Sequence, residues 1–324
     1  EVASHDICMI YHADMYLCPG ALDEIEKRIC PGLIVSLTRI EPPLHPDGPE
    51  KILKDFGIEP EEFQEEELLN FLDRNEKLLA RVTYGVFAPW AFYKKDFQEI
   101  GGHDPLYAPQ SKEDSDIFNR FKLNGVNFLQ TWAGCVYHMT CRGSRFADGA
   151  KRNPDGKVFM KNRETDEWLE QNKRSTRNFI RKWGHFVKHD DHLYPIVPPK
   201  YNIGIVVKNC TEEMLNSLEP WCDRIYTDIE YNNYITKEQP NTKFNLKERI
   251  FSINAEVIDD IEVRIDGLTL TQNDYKYITE LSTIIQESDI SEKEFGSEFE
   301  VGHLKLMVNN LNTYEKDLVV CKES

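Results

Sequence analysis

Four short segments of the chain combine carboxylate and imidazole side chains in an order that could form one catalytic site. The segments are His12-Ala13-Asp14, Ile100-Gly101-Gly102-His103-Asp104, Glu113-Asp114-Ser115-Asp116 and Val136-Tyr137-His138. One carboxylate of such a site can lie beside a divalent metal ion, and a second can remove a proton from an attacking hydroxyl. Asp14 and Asp114 are the candidates for these two tasks.

The first of these segments follows a predicted strand. Residues 6–11 are mostly apolar, the polar residues 12–14 follow, and Pro19-Gly20 introduces a helical pattern through Ile25 and Ile29. A carboxylate at the end of a strand lies where ligands usually bind in open α/β sheets. The alternative is that Asp14 only begins a turn before Pro19-Gly20.

The rest of the first part of the chain alternates between predicted strands and helices. Five prolines within residues 41–62 predict an inserted loop, and a short acidic helix after it extends the insertion to about residues 41–76. The other predicted elements are strands at 33–37, 82–92, 126–129 and 133–138 and helices at 93–99 and 114–123. This alternation is typical of an α/β fold.

A proline-rich linker at residues 195–199 divides the chain into two predicted domains. Before the linker, residues 164–187 have a helical pattern within a basic segment of about residues 140–188. After the linker, the predicted elements are strands at 203–207, 224–226 and 261–265 and helices at 211–218 and 275–285. We therefore expect a domain at 1–195 and a smaller α/β or α+β domain at 200–324 that carries no catalytic motif.

Composition limits the class of protein. The chain has 324 residues and a net charge of −17, which argues against nucleic-acid binding. Its eight cysteines show no paired short spacing and predict reduced, mostly buried thiols. The sequence has no run of about 18 apolar residues and does not open with a basic and then an apolar segment. We therefore expect a cytoplasmic protein without a transmembrane segment.

The four segments resemble, in order and approximate spacing, the motifs of family 2 glycosyltransferases with the GT-A fold, a Rossmann-like core. The resemblance covers residues 6–146. In that family the last carboxylate of an Asp-x-Asp motif holds Mn²⁺ or Mg²⁺ against the donor diphosphate, which implies this role for Asp14. His12 stands in place of the family's first carboxylate and is a further candidate ligand. The family's N-terminal half, which holds the nucleotide base, is missing from the sequence, so we expect the core to be incomplete at its N-terminus.

By the same resemblance, the third and fourth segments contain the catalytic base and a further metal ligand. Residues 113–116 resemble the family's Glu-Asp-x-Asp motif, which implies that Asp114 is the base that deprotonates the acceptor hydroxyl. His138 stands where a histidine completes the metal shell in some relatives. The alternatives are an acidic first helical turn favoured by the helix dipole and a strand histidine satisfied within the core.

The resemblance also implies contacts to the sugar and the acceptor. Glycines at this point of the family let the backbone pass close to a bound sugar. The residues implied in sugar or acceptor binding are Gly101, Gly102, Asp104, Glu113 and Asp116. For the glycine segment, the alternative is an ordinary turn.

Three further side chains are candidates for binding the substrate. Arg142 and Arg145 could close over phosphate oxygens of the donor by bidentate hydrogen bonds, or could belong to a solvated basic loop. Trp90 could offer its face to a sugar, or could pack within the core.

These residues together predict an inverting, metal-dependent glycosyltransferase. It would move a sugar from a nucleotide-sugar donor to a hydroxyl of a glycan, lipid or protein acceptor. Two other classes stay open at this stage. One is a catalytically degenerate relative that binds a glycan or a partner, and the other is a metal-dependent hydrolase of phosphate esters.

Overall fold

The protein has a mixed α/β architecture. The structure, a computed structural model, describes residues 3–43, 47–139, 151–152, 154, 158–159, 164–288 and 290–321. Within these residues two large sheets carry helices around them, and a short antiparallel ribbon joins β8 (Lys151–Arg152) to β9 (Val158–Phe159). The α/β class predicted from the sequence is confirmed.

The first sheet holds the ends of the strands on which the candidate site is built. Its strands within the described residues are β1 (Ile7–Ile10), β2 (Met15–Leu17), β3 (Leu33–Glu41), β4 (Lys51–Leu53), β5 (Val82–Thr83), β6 (Trp90–Tyr93) and β7 (Asn127–His138). The strand order is β1-β6-β3-β7-β2, with β4 beside β3 and β5 beside β7. Because β3 and β7 are parallel neighbours, Glu41 and His138 end adjacent strands at the same edge of the sheet.

Six helices precede the second sheet in the described part of the chain. They are α1 (Ala21–Arg28), α2 (Glu65–Arg74), α3 (Glu76–Leu79), α4 (Lys94–Glu99), α5 (Glu113–Leu123) and α6 (Asp166–Trp183), with 3-10 turns at Pro60–Glu62 and Pro105–Tyr107. Ile117, Phe118 and Phe121 of α5 are buried in the core under the sheet, as their helical spacing predicts. A tight turn at 124–126 joins α5 to β7, so the first turn of α5 lies toward the edge where β7 ends.

The second sheet is built mainly of parallel strands. Its strands are β10 (Ile203–Lys208), β11 (Arg224–Thr227), β12 (Ile250–Ser252), β13 (Ile261–Asp266), β14 (Glu298–Val301) and β15 (Leu304–Val308). Their order is β12-β11-β10-β13-β15-β14. The strands β10 to β13 run parallel to their neighbours, and β14 and β15 add an antiparallel edge.

Short helices surround the second sheet. They are α7 (Glu212–Leu218), α8 (Asn232–Glu238), α9 (Gln272–Thr279) and α10 (Leu281–Glu287), with 3-10 turns at Glu219–Trp221, Gln239–Asn241, Leu246–Glu248, Glu292–Glu294 and Glu315–Leu318. Thr211 caps α7 by accepting a hydrogen bond from the Met214 amide, as expected of threonine at this position. The single helix predicted at 275–285 is divided in the structure into α9 and α10.

Several strand boundaries differ from the predicted ones for identifiable reasons. The strands predicted at 126–129 and 133–138 are one strand, β7, which bulges where its register against β3 shifts between Leu37 and Thr38. A Cβ atom at Gly134 would lie 2.7 Å from Leu37 Cδ2, so glycine suits this bulge. β3 continues to Glu41 because its charged residues find partners inside the protein, and β4 pairs with it inside the predicted insertion.

The two parts of the chain contact each other directly. Arg181 of α6 forms a buried ion pair with Glu219, which follows α7. The end of the chain returns to the first part, where Val319 joins the core under the first sheet and the Cys321 amide donates to the Ile100 carbonyl. The helices in the described stretches all lack the combination of length and apolar character that a membrane crossing requires.

Candidate active site

Three of the predicted residues meet at the edge of the first sheet. One ligand atom from each of His12, Asp14 and His138 lies within 4.8 Å of the others. Asp14 Oδ1 is 3.5 Å from His138 Nε2, and the two imidazole ring centroids are 6.0 Å apart. We call these residues the His–Asp cluster. Residues far apart in the sequence are brought together here, as the resemblance implies.

Backbone pairing holds the cluster together. His12 and Asp14 lie in the turn between β1 and β2, and Met15 at the start of β2 is opposite His138 at the end of β7. The Met139 amide also donates to the Asp14 carbonyl over 2.9 Å. The turn and the strand end are therefore fixed relative to each other, independently of any contact between the side chains.

The electrostatics of the cluster favour one charged pair and one neutral ring. Burial alone would lower the pKa of His138, but its hydrogen bonds to Asp14 and Glu41 outweigh burial and raise that pKa. Burial opposes ionisation of Asp14 as well, yet the hydrogen bond and the charge of His138 lower its pKa. Burial and the nearby His138 lower the pKa of His12, which favours the neutral ring, the form that can bind a metal.

Glu41 is a residue of the site that the sequence analysis missed. Its Oε2 lies 3.1 Å from His138 Nδ1, on the side of the ring away from Asp14. The Glu41 side chain is fully buried, and Lys51 Nζ approaches its other oxygen at 2.8 Å. Burial would raise its pKa, but His138, Arg39 and Lys51 lower it to about 2. The carboxylate is therefore ionised beneath the cluster.

The donor set of the cluster fits a divalent metal ion. One carboxylate oxygen and two imidazole nitrogens are donors that Mn²⁺ and other divalent transition metals accept. His138 also has a buried carboxylate behind it, an arrangement common to metal-binding histidines. The geometry is consistent with the predicted roles of His12, Asp14 and His138 but favours no particular ion.

Asp114 lies in a cavity of its own. It sits in the first turn of α5 and lines a cavity of about 160 Å³, which we call the Asp114 cavity. The other lining residues are Val86, Phe87, Ser115, Phe118, Asn119, Val187, Lys188, His189, Leu193 and Pro195. Burial and the negative charge of Glu113 raise the pKa of Asp114 to about 7, a value suited to a general base near neutral pH.

Phe87 connects the Asp114 cavity to the His–Asp cluster. Its ring lines the cavity, and it also meets the His12 ring nearly at right angles with 6.4 Å between centroids. Arg39 covers the Phe87 ring at 4.1 Å from its centroid. Asp114 is in the first turn of α5, which lies toward the edge of the sheet at which β7 ends. Asp114 and the His–Asp cluster therefore lie at the same edge of the sheet.

Comparison with known proteins adds no family assignment. No family model matches the sequence, and no curated protein matches it. The functional interpretation therefore depends on the residues and their geometry.

Asp116 is committed to the interior. It is fully buried, and its carboxylate accepts hydrogen bonds from Arg120, Trp183 and Tyr107 and forms an ion pair with Lys182. These partners occupy both of its oxygens. We assign it a structural role in place of the predicted contact to a sugar or an acceptor.

Asp104 takes part in the same network. Its side chain accepts from the Leu106 amide, and its Oδ2 lies 2.8 Å from Lys182 Nζ. Burial would raise its pKa, but the charge of Lys182 lowers it. It is less enclosed than Asp116, with 16% of its side chain exposed, so its predicted sugar contact stays a prediction.

Trp90 and the glycine pair are explained by packing and backbone conformation. Trp90 is fully buried and packs against Phe92, Phe118 and Phe121, which favours core packing over a platform for sugar. Gly101 and Gly102 both have positive φ, 76° and 72°, which explains glycine at these positions. Cys321 lies against Gly101, so this turn also contacts the last described segment of the chain.

Glu113, Arg142 and Arg145 complete the set of predicted substrate contacts. Glu113 is half-buried at the start of α5, where burial raises its pKa, and its contact with the acceptor stays a prediction. Arg142 and Arg145 lie outside the residues that the structure describes, so their contact with phosphate also stays a prediction.

Proposed function

We propose that the protein is a metal-dependent glycosyltransferase with a GT-A-like catalytic core resembling family 2. The observation that carries the proposal is the arrangement of two separate chemical groups at one edge of the sheet. The His–Asp cluster is suited to hold a divalent metal, and Asp114, beside a cavity, is suited to remove a proton. Phe87 borders both groups.

The metal would be Mn²⁺ or Mg²⁺, held by His12, Asp14 and His138. When bound, such an ion supplies positive charge that stabilises the diphosphate of a nucleotide-sugar donor as it leaves. Arg142 and Arg145 are proposed to assist through hydrogen bonds to the phosphate oxygens.

Asp114 would act on the acceptor. Its carboxylate accepts the proton of the acceptor hydroxyl while the hydroxyl oxygen forms a bond to the anomeric carbon of the sugar. The bond between that carbon and the diphosphate oxygen breaks in the same displacement, and the configuration at the carbon inverts. The raised pKa of Asp114 supports this role, because a carboxylate with a pKa of about 7 binds a proton more strongly than an ordinary aspartate.

The Asp114 cavity is the proposed acceptor site. Its wall is largely apolar, and the charge of Lys188 at its rim is already paired with Glu280. An uncharged hydroxyl compound with an apolar face, such as a sugar ring, suits these surroundings better than an anionic acceptor does.

The direct test is a turnover assay with the full chain and Mn²⁺. A panel of nucleotide sugars is incubated with and without glycans or alkyl glycosides, and the released nucleoside diphosphate is measured. We expect release that requires an acceptor and that falls by roughly 10²- to 10⁴-fold in Asp114→Asn. Asp73→Asn, on the exposed side of α2, is the matched control and keeps activity.

The same assay separates the other functional classes. Release of nucleotide products at the same rate with and without an acceptor would favour a hydrolase. Binding of the metal and a nucleotide with no turnover across the panel would favour a degenerate relative. Either result would contradict the proposed transferase activity.

A further inference from the structure

We propose that Glu41 positions His138 for metal binding by accepting the hydrogen bond of its Nδ1–H, so that Nε2 is left free to face Asp14 and the metal. This inference rests on the proposed function, because it assumes that the His–Asp cluster binds a metal. Glu41 would not touch the metal or the substrate. It would act through His138, as a positioning residue.

The two ring nitrogens of His138 face different carboxylates. Nδ1 lies 3.1 Å from Glu41 Oε2, and Nε2 lies 3.5 Å from Asp14 Oδ1. An ionised carboxylate only accepts hydrogen bonds, so the shorter contact requires a proton on Nδ1. When Nε2 carries no proton, the ring keeps the proton on Nδ1 and has its lone pair on Nε2, which is the nitrogen that faces Asp14 and the rest of the cluster.

Glu41 is held so that it can serve this purpose. It is the last residue of β3, whose parallel neighbour β7 ends in His138. Its side chain is fully buried, with Lys51 Nζ at 2.8 Å from Oε1 and Arg39 Nη1 at 3.5 Å from Oε2. Two cations therefore fix the carboxylate and compensate its buried charge, while Oε2 stays directed at the ring.

A second carboxylate in the same network makes the inference specific. Glu50 also contacts the two cations, with Oε1 at 3.3 Å from Arg39 Nη2 and 3.9 Å from Lys51 Nζ. Glu41 is the one of these two glutamates that forms the hydrogen bond with His138. Glu50 therefore serves as the control, because it contacts the same two cations and makes no contact with His138 among those described.

The test compares Glu41→Gln and Glu41→Ala with the matched control Glu50→Gln. Nitrogen-15 NMR of the histidine rings, in alkaline buffer without metal, reports which nitrogen of His138 carries the proton, with His138→Ala used to assign its signal. Electron paramagnetic resonance of free Mn²⁺ then gives the metal affinity. Thermal unfolding followed by circular dichroism identifies any variant that does not fold.

We expect His138 to carry its proton on Nδ1 in the wild type and to lose this preference in Glu41→Ala. Mn²⁺ affinity should fall by roughly 10- to 100-fold in Glu41→Ala, the range found for partners of metal-binding histidines. Glu41→Gln keeps an oxygen acceptor and should lose less. Glu50→Gln should keep both the wild-type tautomer and the wild-type affinity.

Three results would overturn the inference. They are a proton on Nε2 in the wild type, an unchanged tautomer in folded Glu41→Ala, and an equal effect of Glu50→Gln. If Glu41→Ala does not fold, the isosteric Glu41→Gln decides through Mn²⁺ affinity, and an affinity equal to that of Glu50→Gln would overturn the inference. The metal-free NMR result does not depend on the transferase proposal, so a wild type that binds no Mn²⁺ but shows the Glu41-dependent tautomer would contradict only the metal role.

Discussion

The ring of Phe87 meets the ring of His12 nearly at right angles, 6.4 Å between centroids, and the same Phe87 lines the cavity that contains Asp114. The His–Asp cluster, a candidate metal site, and Asp114, a candidate base, therefore share a neighbour, although they come from separate segments of the chain. This relationship is the structural basis for treating them as one site.

The metal affinity should depend on Asp14 and on His138. We expect His138→Ala and Asp14→Ala each to weaken Mn²⁺ binding by more than roughly tenfold, because loss of a direct ligand should cost at least as much as loss of its supporting partner. Electron paramagnetic resonance of free Mn²⁺ measures this. The control is His303→Ala, since His303 also contacts a carboxylate, Asp274, but lies in the turn between β14 and β15 of the second sheet. Equal weakening by the control would argue against a specific site.

Turnover should follow the ionisation of Asp114. Burial and Glu113 disfavour the anion and raise the pKa of Asp114 to about 7, so the basic form accumulates only as the pH rises through this value. We expect kcat/KM to rise with pH and to level off above about 7. Asp114→Asn should lower kcat by roughly 10²- to 10⁴-fold and remove this step from the profile. A wild-type rate independent of pH across this range would contradict the assignment of the base.

Trp90 should matter to stability more than to sugar binding. Its ring is fully buried among aromatic side chains, so Trp90→Ala should lower the free energy of unfolding by roughly 3–5 kcal/mol, as for other large buried aromatics. Urea unfolding measures this loss. The milder Trp90→Phe should remain folded and bind nucleotide sugars like the wild type. Weaker sugar binding by a fully stable Trp90→Phe would restore the sugar-platform interpretation.

The contact between the two parts of the chain should be sensitive to acid through Glu219. Burial would raise its pKa, but Arg181 and Arg249 outweigh burial and lower it to about 2. A group with a lowered pKa stabilises the folded state above its unfolded pKa, about 4.5 for glutamate, and this contribution is lost as the pH falls toward 2. Glu219→Gln should cost roughly 3–5 kcal/mol at neutral pH, because buried arginines lose their partner, and much less in acid.

Urea unfolding at neutral and acidic pH tests the Glu219 prediction. The exposed ion pair of Glu212 with Lys237 provides the control, and Glu212→Gln should leave the unfolding free energy nearly unchanged. A Glu219→Gln variant with a loss of stability independent of pH would contradict the electrostatic explanation.

The sequence predicts the parts of the site that follow from local pattern. Asp14 after an apolar strand and Asp114 in the first turn of a helix are positions that periodicity and motif order identify. The meeting of His12, Asp14 and His138 follows from the pairing of β2 with β7, which no local pattern specifies. The family resemblance, rather than local pattern, predicts that meeting.

The differences from the sequence-based expectation have a common physical cause, which is that burial is a property of the folded chain. Glu41 lies at the edge of a proline-rich stretch that predicts a loop, and a charged residue is unexpected inside a sheet. Its partners Arg39 and Lys51 make that burial possible. Asp116 has the same kind of compensation from Arg120 and Lys182, so a motif position suited to an exposed acid is occupied by an interior one.

Calorimetric titration of nucleoside diphosphates into the full chain tests whether the His–Asp cluster holds a metal ion that binds the donor diphosphate. The titration is made with and without Mn²⁺, on the wild type and on Asp14→Ala. We expect binding that requires Mn²⁺ in the wild type and is lost in Asp14→Ala. Binding that is equal with and without Mn²⁺, or that survives in Asp14→Ala, would contradict this expectation, as would the absence of binding to every nucleotide tested.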